Sequence, residues 1–150
     1  MMLVPTYVAK SGIEGVGIFA AAPIAKGAPI WQFDAEFDRV LPKAALDAYP
    51  DHVRDFITRY SYRHHDDESL IVLEMDNGRF MNHSEAPNTD FTPQTVAYAL
   101  RDIAPGEEIT CNYCEFDPTF SLLPSPEREF ARPRAVNGHG RGRAKVAARA

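Results

Sequence analysis

Arg79-Phe80-Met81-Asn82-His83-Ser84-Glu85-Ala86-Pro87-Asn88 is the stretch on which the reading of this chain turns. It sets an amide, an imidazole and a hydroxyl side by side, then closes on Pro-Asn, a turn signal. A second dense segment follows, Gly106-Glu107-Glu108-Ile109-Thr110-Cys111-Asn112-Tyr113, in which a Gly turn leads into a short strand that ends on a phenol. Near the start, Gly15-Val16-Gly17 precedes Ile18-Phe19-Ala20. Paired glycines suit a loop whose backbone must approach a ligand closely, since no Cβ intervenes. Alone, that pair reads equally well as a turn between strands. It is too short for the dinucleotide fingerprint, and no βαβ unit surrounds it.

Around these segments lie 150 residues, enough for one domain with a real core. No run approaches the ~20 continuous apolar residues of a membrane span. The opening Met-Met-Leu-Val-Pro-Thr-Tyr lacks a basic region and a long apolar core, so no secretory signal is expected. Cys111 and Cys114 are too close in sequence to staple a fold, and a reducing, cytoplasmic setting is the expectation. Charge divides sharply. Residues 1–131 hold all 21 acidic groups against 10 Lys and Arg, a net −11, while residues 132–150 hold six basic groups and no acid, a net +6. An acidic body suits a cationic partner and repels nucleic acid. The tail, rich in Gly, Ala and Arg, lacks the apolar surface to fold alone and is expected to be disordered. Nucleic acid, if it binds at all, would bind there, and Lys145 could serve as a modification site.

Short strands are expected at 7–10, 17–20, 29–33, 69–74, 95–101 and 108–112, separated by turns at Ser11–Gly15, Ala25–Ala28, Asp76–Gly78 and Ala104–Gly106. Between about 42 and 60 the period changes. Leu46, Tyr49, Val53, Phe56, Ile57 and Tyr60 recur at helical steps, Pro42 fits a first turn, and Pro50 splits the segment into two short helices. The expectation is a mostly β domain with minor α, 1–131, followed by the basic tail, 132–150.

Asn-His-Ser closed by Pro-Asn, then Gly-Glu-Glu-Ile-Thr ending in Tyr, with Gly-Val-Gly ahead of both, resembles the signature segments of SET-domain protein-lysine methyltransferases of the small, zinc-free kind. The resemblance covers roughly residues 5–120. It implies a SET-type β-clip of small curled sheets with a C-terminal pseudoknot and a short helical insert. It also implies transfer of a methyl group from S-adenosylmethionine to the side-chain amine of a lysine in a protein substrate such as a histone. Such a transfer requires two reactants held in line, water excluded, and an amine made neutral. Against a lysine pKa of ~10.4, neutrality at pH 7 costs about 4–5 kcal/mol. Aromatic walls and one or two aligned oxygens suit that task, and no carboxylate is expected at the amine.

Carried over by resemblance, Tyr113 is the catalytic phenol, Asn82 and His83 bind the cofactor with Gly15, Val16 and Gly17, and Phe33 and Cys111 line the substrate channel. Away from those motifs, Tyr113 would read as a core tyrosine and His83 as a structural histidine. Arg79 would either meet the cofactor carboxylate or pair with a neighbouring acid, and the structural role is favoured. Glu85 stands where many relatives have a zinc-binding Cys, Cys111-x-x-Cys114 lacks a second pair, and His64-His65-Asp66-Asp67 reads as a solvated loop, so no metal is expected. Without a zinc-bound tail, Phe116 or Phe120 is the expected cover for the adenine. The alternative reading is a non-catalytic SET-like module that binds proteins.

Overall fold

In a computed structural model, residues 1–117 and 120 are described. The basic tail at 132–150 and Lys145 lie outside them. Chain order gives strands β1 (Thr6–Lys10), β2 (Val16–Ala20), β3 (Pro29–Gln32) and β4 (Arg39–Pro42). A 3-10 turn (Lys43–Ala48) and α1 (Asp51–Tyr60) come next. They are followed by β5 (Ser61–Arg63), β6 (Leu70–Leu73), β7 (Asn82–His83), β8 (Thr89–Asp90), β9 (Val96–Ala99) and β10 (Glu108–Cys111). Three small sheets result, in the orders β1-β2-β10-β7, β3-β9-β8 and β4-β6-β5.

What positions the site is the placement of β10. One edge pairs antiparallel with β2, Ile109 opposite Ile18. The other pairs parallel with β7, Thr110 opposite Asn82 and Cys111 opposite His83. The loop after β7 then wraps β10 through Asn88, which is 3% exposed. Asn88 Nδ2 donates to Glu108 O at 2.8 Å, and Thr110 N donates to Asn88 Oδ1 at 2.9 Å. Thr89 Oγ1 donates to Thr110 O at 2.8 Å. One buried amide thus satisfies both an N–H and a C=O of a central strand. The two signature segments are clamped together by their own side chains. Ile18, Ile30, Trp31, Ile103 and Ile109, all 2% exposed or less, form the middle of the core beneath this crossing.

The expected helical stretch differs in two respects. Pro42 stands at the N-terminal boundary of the 3-10 turn and at the same time ends β4, opposite Leu70. An outer strand tolerates a residue with no N–H to give. Pro50 does divide the segment, standing at the N-terminal boundary of α1. The apolar stripe does not form one packed face, because the 3-10 turn and α1 are separate elements. In α1 only Ile57 is buried, while Tyr49 and Phe56 are 38% and 45% exposed. Asp51 in the first turn and Arg59 in the last complement the helix dipole. β4, β5, β7 and β8, each two to four residues long, were not expected from the sequence. No helix among the described residues is long and apolar enough to cross a membrane.

Candidate active site

A cavity of about 590 Å³ opens between the Gly15 loop, the C-terminal end of α1, β5, β7 and the segment after β10. Gly15, Val16, Asn82, Cys111, Tyr113 and Phe116 all line it. Phe33, Gly17 and His83 do not.

Asn82 and Gly17 form one unit. Asn82 Nδ2 donates to Glu108 Oε1 at 2.8 Å, to Val16 O at 3.1 Å and to Glu14 O at 3.4 Å. All three partners are acceptors, which fixes the amide: its nitrogen is spent on the protein, and Oδ1 remains as the polar atom it can offer a ligand. Glu108 is itself held by Ser11 Oγ at 2.8 and 3.0 Å. Gly17 sits behind this cluster. A Cβ there would collide with the Glu108 carboxylate and lie 3.0 Å from Asn82 Nδ2. Gly17 therefore gives room to the side chain that aims Asn82. Gly15, at φ +49°, takes the left-handed turn that brings Val16 O to the amide.

His83 works on Tyr113. Its Nδ1 accepts from Tyr113 N at 3.2 Å, which leaves the proton of a neutral ring on Nε2, and the two rings lie 5.3 Å apart. The Tyr113 hydroxyl donates to Met81 O at 2.6 Å. Burial, and then the neighbouring Cys111, hold this phenol well above its ordinary pKa. It is a donor with free lone pairs, not a base.

The opposite wall is aromatic. Trp31 meets Tyr62 at 5.9 Å and Phe91 at 5.1 Å between ring centroids, and Phe116 meets Tyr62 at 5.7 Å and Phe91 at 5.6 Å. The four rings close a circuit, and Tyr113 joins it through Phe116 at 5.7 Å. Phe116 thus belongs to this aromatic wall. Phe120 is the ring that lies against His83, at 5.5 Å, and against Tyr113, at 4.8 Å. Phe33 lies past the end of β3 and packs on His64 and His65 at 5.6 and 5.2 Å. Residues two apart on a strand share a face about 7 Å apart. Trp31 with Tyr62 therefore forms the cavity layer, and Phe33 with His64 the next one out.

Two lining groups, Tyr62 and Glu74, escaped the sequence reading, and for a third, Arg79, it favoured a structural role. Tyr62 carries a buried hydroxyl with no hydrogen-bond partner among the described residues. Arg79 lines the cavity with a buried Nε that has no hydrogen-bond partner among the described residues, its guanidinium 5.0 Å from the Phe80 ring centre. Glu74 is a carboxylate where none was expected, 6% exposed and accepting from Trp31 Nε1 at 2.5 Å. The single Trp and the Asp76-capped turn beside Glu74 were legible signals, but nothing local joined them to Tyr113. No group of three or more His, Cys, Asp or Glu that could hold a metal occurs among the described residues.

A compact β fold with two crossing signature segments over one aromatic-and-amide cavity defines a class, and comparison with known proteins agrees. The SET domain model matches residues 15–114, two thirds of the sequence. The chain belongs to the SET-domain family. It is 30% identical over 116 residues to "Putative histone-lysine N-methyltransferase 1" of Plasmodium falciparum (isolate 3D7), covering 71% of this chain. That stretch is only 2% of the relative's length. Among solved structures it resembles a putative histone methyltransferase of Plasmodium falciparum, with TM-score 0.51 and 21% identity over 75% of this chain and 95% of that one. It also resembles a humanized mutant of the Chaetomium thermophilum Polycomb Repressive Complex 2, with TM-score 0.54 and 23% identity over 76% of this chain and 15% of that one. At these identities the structural likenesses establish the fold.

Proposed function

We propose that this chain transfers a methyl group from S-adenosylmethionine to the side-chain amine of a lysine in a protein substrate, a histone or another basic protein. The observation that carries the reading is the Tyr113 hydroxyl, fixed on Met81 O inside the cavity that Asn82 and the Gly15-Val16 loop also line. The residues fit the donor. Arg79 Nε, buried and without a partner among the described residues, suits its carboxylate, and Asn82 Oδ1 suits its ammonium. Phe120, against His83, is better placed than Phe116 to cover an adenine. When bound, S-adenosylmethionine supplies a sulfonium methyl activated for in-line displacement.

The protein's own task is alignment. With its proton committed to Met81 O, the Tyr113 oxygen can accept from an amine N–H and so orient the nitrogen lone pair. His83 sets the height of that phenol by holding the Tyr113 backbone. Trp31, Tyr62, Phe91 and Phe116 surround the aliphatic stem and exclude water, and the acidic body attracts a basic peptide.

The test is incubation with labelled S-adenosylmethionine and a histone mixture or lysate, with the labelled residue located by mass spectrometry. Calorimetry with S-adenosylhomocysteine runs beside it. A labelled lysine is the expected result. Heat without transfer would mark a cofactor-binding scaffold, and neither heat nor label would end the reading.

A further inference from the structure

An amine that attacks must first lose a proton, and the cavity contains few groups that could take it. The Tyr113 phenol is held protonated by burial and already donates to Met81 O. The Tyr62 phenol is pushed up by burial and by the nearby Glu74 and Asp38. Burial and then Glu74 and Glu115 push the Cys111 thiol up as well. None of these accepts a proton near neutral pH. Three carboxylates line the cavity. Glu14 lies 3.7 Å from Arg59 beside the Gly15 loop, and Asp117 is half-buried after Tyr113. Glu74 alone is buried, within the aromatic wall.

We propose that Glu74 is the proton acceptor of this site, taking a proton from the lysine ammonium as the side chain seats between Trp31, Tyr62 and Cys111. The inference rests on the function proposed above. One Nζ–H bond breaks, its electron pair stays on nitrogen, and an O–H bond forms on Glu74; the amine then has its lone pair free. The carboxylate is arranged for this. Trp31 Nε1 donates to Oε1 at 2.5 Å and the Met1 amino group lies 4.0 Å from the same oxygen, while no donor among the described residues is bonded to Oε2. Oε1 is pressed on Gly78, where no Cβ would fit. An ammonium and a carboxylate desolvated together gain by becoming a neutral pair. Burial, with Asp76 and Asp38 adding to it, pushes the Glu74 carboxyl up to about 8, while the Met1 amino group and Trp31 pull the other way. That range suits a base working near neutral pH.

Glu74→Gln keeps the size and the acceptor for Trp31. Two readouts test it with the full chain: kcat/KM against pH for a histone-tail peptide carrying one lysine, and calorimetry of the same peptide in buffers of different ionisation heat. The calorimetry is run at pH 9 with S-adenosylhomocysteine present, with a norleucine peptide as blank. The wild type should lose kcat/KM as pH falls through about 8. The variant should be roughly 10²-fold slower at neutral pH and recover toward the lysine's own pKa of ~10.4. On binding, the wild type should release no net proton to buffer and the variant should release one. Equal proton counts would overturn the proposal, as would an unchanged pH profile or a loss equal at every pH, which would make Glu74 only a support for Trp31. A wild type that takes up the ammonium proton but transfers no methyl would overturn the proposed function alone. One that binds no lysine peptide would overturn both.

Discussion

The two walls of the cavity are held in opposite ways. On the Asn82 side the side chains tie one another: Ser11 to Glu108, Glu108 to Asn82, Asn82 through its nitrogen to the backbone of Glu14 and Val16, and His83 to Tyr113. On the Trp31 side rings pack edge to face, and polar atoms are left over: among the described residues the Tyr62 hydroxyl has no partner and Glu74 accepts through one oxygen only. A wall of satisfied hydrogen bonds has one geometry and suits a ligand of fixed shape. A wall of rings with spare polar atoms suits a ligand whose charge changes during the reaction. Mutations on the first should therefore act through positioning, and those on the second through the state of the amine.

The largest effect is expected where the walls meet. Tyr113→Phe should lower turnover by about 10²-fold or more, roughly 2.7 kcal/mol on the barrier. Affinity for S-adenosylhomocysteine should stay within a few-fold, since the cofactor contacts assigned to Asn82 and Arg79 remain. Equal turnover in both proteins would take the phenol out of the chemistry. Next in size is Gly17→Ala on the tied wall. The added methyl collides with the Glu108 carboxylate, so Asn82 loses its anchor; we expect about 1–3 kcal/mol lost in urea unfolding together with weaker S-adenosylhomocysteine binding. If stability falls while binding holds, the Glu108–Asn82 contact does not aim the amide at the ligand.

The same contrast explains what could be read in advance. The tied wall is written in short local motifs. Gly15-Val16-Gly17, Asn82-His83 and Glu108 to Tyr113 each carry their chemistry within a few residues, because their bonds run between adjacent strands β2, β10 and β7. Even there, Gly17 and His83 do not line the cavity, and Glu108, read only as part of a segment, is the carboxylate that accepts from Asn82. The aromatic wall was not legible. Trp31, Tyr62, Glu74, Phe91 and Phe116 come from β3, β5, the end of β6, the turn after β8 and the segment after β10, and no spacing in one dimension brings them together. Phe33, carried over by resemblance as a channel residue, does not line the cavity, whereas Trp31 does. The two share a strand direction, and only the pairing of Trp31 with Tyr62 and of Phe33 with His64 shows which layer reaches the cavity. Strands of two or three residues, such as β7 and β8, are too short to carry a period at all.

The smallest effect, and the sharpest test of the loose wall, is Tyr62→Phe. A buried hydroxyl without a partner costs about 1–3 kcal/mol relative to one that is bonded, so removing it should leave the melting temperature unchanged or slightly higher. The ring contacts with Trp31 and Phe116 do not depend on the oxygen and should persist. If the hydroxyl is reserved for the substrate, the lysine peptide should bind a few-fold more weakly to the variant while S-adenosylhomocysteine binds as before. A fall in stability of more than about 1 kcal/mol would mean that the oxygen is satisfied in solution, by an ordered water for example. The Trp31 wall would then be as fully bonded as the Asn82 wall, and the division between a positioning side and a responsive side would disappear.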